Sequence, residues 1–195
     1  MIGIYDYTVI LTYLSLVSGL LGMKFACEGK LSAAICCLLI SGVCDMFDGV
    51  VARSKKNRTD DERNFGIQID SLCDAICFGV FPAVLLYFCG VDSAAGTAVL
   101  VLYVLCAVIR LAFFNVLETK RQMREGGSAK EYRGLPVTSI AIILPFFYFI
   151  RPLLPHSVLQ VIYHVIPVLV AALFIVNVRV PKLDVTKVLR KRAVK

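Results

Sequence analysis

Four aspartates stand beside long apolar segments of this sequence. Asp45 and Asp48 are three residues apart and Asp70 and Asp74 are four apart, so in helices each pair lies on one face. Carboxylates next to hydrocarbon are costly and usually face a bundle interior or a water-filled cavity, where they mark function. Four together would repel one another, and a bound divalent cation would remove that repulsion. All-oxygen ligands favour a hard cation such as Mg²⁺, Mn²⁺ or Ca²⁺ over zinc or copper.

The residues around the aspartates suit a ligand that carries phosphate. Hard cations favour phosphate oxygens as their remaining ligands. Gly49, Ala52 and Gly66 are small enough to let a bulky ligand approach the backbone, and Arg53 suits phosphate. The pattern therefore predicts phosphoryl transfer on a diphosphate.

Two other interpretations of the aspartates remain open. They could form ion pairs at helix ends with Arg53, Lys55, Arg58 or Arg63. A cation- or proton-coupled membrane transporter would also hold carboxylates inside a bundle, although its site would usually lie near the membrane midplane on broken helices. This cluster lies instead at one end of the apolar segments, beside a basic loop.

Apolar segments dominate the elements that must position these side chains. The 195 residues are 58% hydrophobic, and a helix needs about 20 mostly apolar residues to cross a bilayer. Spanning segments must satisfy their own backbone hydrogen bonds, which here means helices. The sequence predicts an all-α integral membrane protein with a single domain over residues 1–195 and about six transmembrane helices, near 7–26, 31–52, 68–90, 94–117, 135–151 and 156–178.

Basic residues set the expected orientation of the bundle. The chain has 21 Lys and Arg and a net charge of +7. Most of these bases lie in residues 53–63, 120–133 and the tail 179–195, whereas Lys24, Lys30 and Arg151 lie on the opposite side. The positive-inside rule then places both termini and all four aspartates on the cytoplasmic side of the cell membrane. The bases adjoin spans without interleaved aromatics, so we expect contacts with anionic lipids and not with nucleic acid.

Cysteines and histidines add no second metal site to this prediction. The eight cysteines lie mostly inside apolar runs, with no CxxC pair and no histidine at ligand spacing. We expect them to pack as small hydrophobic residues.

The aspartates belong to a longer pattern, Asp45-x-x-Asp48-Gly49-x-x-Ala52-Arg53 followed by Gly66-x-x-x-Asp70-x-x-x-Asp74. It resembles the signature of the CDP-alcohol phosphotransferases, integral membrane enzymes of phospholipid synthesis, although the spacer from Arg53 to Gly66 is longer than the family commonly has. The resemblance implies a six-helix fold and two divalent cations. It makes all four aspartates metal ligands and makes Asp74 also the general base. The expected CDP-binding residues are Asp48, Gly49, Ala52, Arg53 and Gly66.

Three further stretches resemble the phosphatidylserine synthase branch of that family. They are residues 78–83 (FGVFPA), 110–116 (RLAFFNV) and 134–136 (GLP). This resemblance implies transfer of a phosphatidyl group from CDP-diacylglycerol to L-serine, which yields phosphatidylserine and CMP, and it implies a homodimer. Glycerol 3-phosphate or inositol phosphate remains an alternative acceptor.

Four residues outside the signature are candidates for contact with the headgroup or the lipid phosphate: Arg110, Asn115, Lys130 and Arg133. Arg110 is the only base isolated within an apolar stretch, so it needs an anionic partner, which a serine carboxylate or a substrate phosphate would supply. It could instead snorkel to the membrane surface beside Glu118. Asn115 could hold the alcohol or cap the end of its helix.

Overall fold

The computed structural model describes residue 3 and residues 6–55, 59–123, 131–133, 135–176 and 179–181, without the side chains at 53, 120–123, 131–133 and 179–181. Its α-helices are α1 (Ile10–Cys27), α2 (Leu31–Ser54), α3 (Asp60–Asp74), α4 (Phe81–Phe88), α5 (Ala94–Met123), α6 (Ile140–Phe149) and α7 (His156–Ile175). A π-helical segment, Ala75–Val80, joins α3 to α4, and 3-10 turns occupy Tyr7–Val9, Val137–Ser139 and Arg151–Leu153. Two short antiparallel strands, β1 (Glu131–Arg133) and β2 (Arg179–Pro181), pair with Tyr132 opposite Val180.

Within the described residues, five helical segments are long and apolar enough to cross a membrane: Tyr7–Cys27, Leu31–Ala52, Asp60–Phe88, Ala94–Thr119 and His156–Ile175. A shorter apolar helix, Val137–Phe149, is the sixth. Large apolar side chains such as Leu14, Val17 and Leu102 are exposed on the outside of the bundle, where lipid would cover them. The predicted all-α membrane bundle of about six helices is confirmed, and the protein is a multi-pass membrane protein.

The third membrane segment begins earlier than the sequence predicts, at Asp60 and not near residue 68. Thr59 caps the helix, because its hydroxyl accepts from the backbone N–H of Glu62 while the Glu62 carboxylate accepts from the backbone N–H of Thr59. This capping box satisfies two donors that a helix start otherwise leaves open. Much of the spacer between Arg53 and Gly66 is therefore helical.

Serine hydroxyls join α1 to α2 inside the bundle. Ser15 Oγ donates to the Ser41 carbonyl at 3.2 Å, and Ser41 Oγ donates to the Ser15 carbonyl at 2.9 Å. One turn further along α1, Ser18 Oγ donates to the Cys37 carbonyl at 2.9 Å. Small residues that hydrogen-bond across helices allow close packing in membranes, where lipid offers no hydrophobic drive for association. These bonds fix the helix that carries Asp45 against its neighbour.

A proline determines the local structure directly after the second aspartate pair. Pro82 has no N–H, so the carbonyl four residues earlier, at Phe78, lacks its α-helical donor. The chain takes the wider π-helical register before this point, with the Phe81 N–H bonded to the Ile76 carbonyl. The buried Tyr103 hydroxyl on α5 donates to the Phe78 carbonyl at 2.6 Å. The π turn lets α3 and α4 present different faces to the bundle, as such turns often do beside functional sites.

We expect Tyr103→Phe to lower the free energy of unfolding by about 1–3 kcal/mol, because it leaves a buried carbonyl without its donor while it keeps the ring. Reversible unfolding in detergent, followed by circular dichroism, measures this change. Tyr87→Phe is the matched control, since Tyr87 is exposed, and it should stay within about 0.5 kcal/mol of the wild type. Equal stability of the two variants would contradict the role given to Tyr103.

Candidate active site

Three of the four aspartates converge at one point between α2 and α3. Asp45 comes from α2, and Asp70 and Asp74 come from successive turns of α3. Each of the three offers a carboxylate oxygen, and these oxygens all lie within 4.8 Å of one another. The two helical faces that the sequence predicts therefore meet.

Asp48 lies beside this group and also contacts the first helix. Its carboxylate adjoins that of Asp70, as the carboxylate of Asp45 adjoins that of Asp74. Asp48 Oδ2 accepts a hydrogen bond from Thr12 Oγ1 at 3.4 Å. Sequence analysis did not single out Thr12, although a hydroxyl inside an apolar run is a weak signal for such a contact.

The aspartate group fits a hard divalent cation. Its donors are carboxylate oxygens alone, the ligand set that Mg²⁺, Mn²⁺ and Ca²⁺ prefer. Asp70 Oδ1 is buried and has no hydrogen-bond partner among the residues that the structure describes. A buried carboxylate oxygen without a donor is costly, and coordination to a cation would satisfy it.

Two of the four bases considered as partners for the aspartates pair elsewhere, while Arg58 and the side chain of Arg53 lie outside the described residues. Lys55 Nζ lies 2.9 Å from Asp6 Oδ2 and 3.0 Å from Glu62 Oε1, and Arg63 lies 3.8 Å from Asp60. The bond from Lys55 lowers the pKa of Asp6, and the bonds to Asp6 and Glu62 raise the pKa of Lys55. Because the Asp6 pKa is lowered, its stabilising contribution is present at neutral pH and is lost as the pH falls through that lowered pKa. Lys55 and Arg63 thus do not form the helix-end ion pairs considered for the four aspartates.

Asp45, Asp70 and Asp74 form one wall of a cleft of about 340 Å³. The opposite walls come from α5 and from the start of the 3-10 turn before α6. The cleft is lined by Asp45, Ile67, Asp70, Ser71, Asp74, Leu111, Phe114, Asn115, Leu117, Glu118, Pro136, Val137 and Thr138. A small polar molecule would fit beside the carboxylates.

The headgroup candidates occupy different places. Asn115 lines the cleft. Arg110 is 6% exposed, and its guanidinium carbon lies 4.2 Å from the ring centroid of Phe114, which itself lines the cleft. The arginine is therefore buried in the bundle behind that ring and does not reach the protein surface. Lys130 lies outside the described residues, as does the side chain of Arg133.

The residues expected to bind CDP lie on the same helices as the aspartates. Gly49 and Ala52 follow Asp48 on α2, Gly66 precedes Asp70 on α3, and all three are half-buried. They are not part of the cleft wall described above, and the Arg53 side chain lies outside the described part of the chain. Their assignment to CDP stays a prediction.

Three polar residues of the cleft were not identified from the sequence: Ser71, Glu118 and Thr138. Ser71 follows Asp70 directly and lies three residues before Asp74, so helical spacing alone would have placed it near the carboxylates. Glu118 lies three residues after Asn115, one turn along α5. Thr138 reaches the site only through the packing of the α6 turn, which no local pattern reveals.

A family model described as CDP-alcohol phosphatidyltransferase matches residues 7–176. An archaetidylserine synthase of Methanothermobacter thermautotrophicus is 38% identical over 140 residues, which cover 71% of this chain and 56% of that protein. Two proteins named CDP-diacylglycerol--serine O-phosphatidyltransferase are also similar. The one from Methanocaldococcus jannaschii is 30% identical over 93% of this chain and 75% of its own length. The one from Saccharomyces cerevisiae is 35% identical over 58% of this chain and 41% of its own length.

The chain spans about half the length of the first of these relatives. No solved structure matches it. The family model nevertheless covers every membrane segment and all four aspartates. The chain belongs to the CDP-alcohol phosphatidyltransferase family.

Proposed function

We propose that this protein transfers the phosphatidyl group of CDP-diacylglycerol to the hydroxyl of L-serine, which yields phosphatidylserine and CMP. The observation that carries the proposal is the convergence of Asp45, Asp70 and Asp74 on a cleft that Asn115 also lines. One wall supplies the carboxylates needed to hold a metal diphosphate, and the opposite walls supply polar groups for a small alcohol, Asn115, Glu118 and Thr138. The names of the relatives support serine as that alcohol.

Asp74 is the general base of the proposed reaction. Its carboxylate accepts the proton of the serine hydroxyl as the hydroxyl oxygen attacks the lipid-linked phosphorus. The bond from that phosphorus to the bridging oxygen of the diphosphate breaks, and CMP leaves with the electron pair. A general base must reach the proton that it removes, and Asp74 lies in the wall of the cleft.

The four aspartates would hold the divalent cations, with Asp45, Asp70 and Asp74 in one group and Asp48 beside it. We propose two cations, Mg²⁺ or Mn²⁺ and less readily Ca²⁺, because four carboxylates provide enough ligands for two. When bound, these ions neutralise charge on the diphosphate and on the leaving CMP. The packing between α1 and α2 keeps Asp45 and Asp48 in place for this role.

Orientation and assembly form part of the proposal. The basic segments predict that the cleft and both termini face the cytoplasm, where a water-soluble nucleotide product would be released. The resemblance to the family leads us to propose a homodimer, which the mass of the detergent-solubilised protein would test. Membrane lipids and the lipid substrate are the other expected partners.

Release of CMP by purified protein tests the proposed activity directly. We expect release from CDP-diacylglycerol with Mn²⁺ or Mg²⁺ when L-serine is present, and no release with glycerol 3-phosphate, inositol phosphate or no acceptor. Release with another acceptor would support the proposed phosphatidyl transfer but show that the acceptor alcohol is not serine. No release with any acceptor, while lipid and metal still bind, would contradict the enzyme and favour a transporter.

Asp74→Asn should lower kcat by roughly 10²–10⁴-fold, because the amide cannot accept the hydroxyl proton. CMP release under saturating substrates measures this loss, and metal binding should be partly retained. Asp48→Ala should lose both turnover and metal binding. The matched control is Asp92→Asn, since Asp92 is exposed outside the aspartate group, and it should turn over normally. Normal turnover of Asp74→Asn would show that another group is the base.

Cation binding should stabilise the folded protein. At a cation concentration of about 100 times Kd, the wild type should gain about 2.7 kcal/mol per bound cation over its chelated form. Asp70→Asn should gain far less, because it loses one carboxylate of the group, whereas Asp92→Asn should gain as much as the wild type. Thermal unfolding in detergent, with and without chelator, measures the difference. A shift of equal size in both variants would place the cation elsewhere.

A further inference from the structure

We propose that Ser71 is a positioning residue that orients the Asn115 amide toward the carboxylate of the acceptor alcohol. This inference rests on the proposed function, because it divides the same cleft into a side for CDP-diacylglycerol and a side for the acceptor alcohol. Both residues line the cleft. Ser71 Oγ donates to Asn115 Oδ1 at 2.6 Å, a short bond that joins α3 to α5.

The bond from Ser71 determines which part of the amide faces the cleft. With its oxygen held by Ser71, the Asn115 amide presents its Nδ2 group, which carries two N–H donors. One of them points to Gln68 Oε1 at 3.5 Å. The second N–H serves a ligand in the cleft. A donor in this position suits an acceptor oxygen of the ligand, and in the proposed reaction with serine that oxygen belongs to the carboxylate.

The backbone of Asn115 is held in place as well. Thr119 Oγ1 donates to the Asn115 carbonyl at 2.9 Å. The side chain of Asn115 is therefore bonded to α3 while its main chain is bonded within α5. The amide itself is held at Oδ1 by Ser71 and contacts Gln68 through Nδ2, so it loses little conformational freedom when a ligand binds, which favours affinity.

The position of Ser71 in the sequence couples the two sides of the reaction. It lies between Asp70 and Asp74, within one turn of α3. The turn that carries the general base thus also orients the group that binds the acceptor. Through the Asn115 amide, Ser71 sets the distance between the acceptor carboxylate and the base that removes the hydroxyl proton.

Separate KM values for the two substrates test this inference. Ser71→Ala should raise the KM for the acceptor that the wild type uses by about tenfold, the equivalent of one lost hydrogen bond. The KM for CDP-diacylglycerol and the metal requirement should stay unchanged. Ser71→Thr, which keeps the hydroxyl, should restore the wild-type KM. Ser157→Ala is the matched control, because Ser157 is exposed on α7.

A double-mutant cycle shows whether Ser71 acts through Asn115. The double variant Ser71→Ala/Asn115→Ala should have the acceptor KM of Asn115→Ala alone, since Ser71 has no amide left to orient. Provided that the wild type releases CMP, any of three results would overturn the inference. These are additive effects of the two substitutions on the acceptor KM, an equal rise in the KM values of both substrates in Ser71→Ala, and a wild-type acceptor KM in Ser71→Ala. Failure of the wild type to release CMP with any acceptor would instead overturn the proposed function.

Discussion

Repulsion between carboxylates is the constraint on which the rest of this structure depends. Three aspartates place oxygens within 4.8 Å of one another, and two like charges 4 Å apart repel by about 4 kcal/mol at an effective dielectric of 20. Such a group needs packing that holds the helices together, and a bound cation would offset its charge. The remaining contacts of the bundle can be understood as the means of holding α2 and α3 at this distance.

Close helix packing supplies that restraint. A Cβ at Gly19 would lie 2.9 Å from Cys77 Sγ, and a Cβ at Gly22 would overlap the ring of Phe81. The first helix therefore approaches the α3–α4 segment along a surface of small residues, while its serines bond to α2. Because α1 contacts both helices that carry aspartates, it fixes their relative position without supplying a carboxylate of its own.

The sequence predicts the elements and the aspartate pairs that line one wall of the cleft, since both depend on local spacing. Apolar length identifies the membrane helices, and intervals of three and four residues place each aspartate pair on one face. Two features depend on contacts between distant segments, so local spacing in the sequence cannot predict them. The bond from Tyr103 to the Phe78 carbonyl requires the packing of α5 against the π turn. The burial of Arg110 behind Phe114 requires the packing of α5 against its neighbours.

The division of the cleft between helices has a consequence for specificity. In the proposed function, the carboxylates that would hold the cations come from α2 and α3, whereas Asn115, the proposed contact for the acceptor, comes from α5. Under this proposal, substitutions on α5 can change which acceptor alcohol the enzyme uses without disturbing the carboxylate oxygens that would hold the cation. The hydrogen bond from Ser71 to Asn115 is the exception, because it joins the two sides. A change of acceptor that moves the Asn115 amide must therefore also accommodate the turn of α3 that carries Asp74.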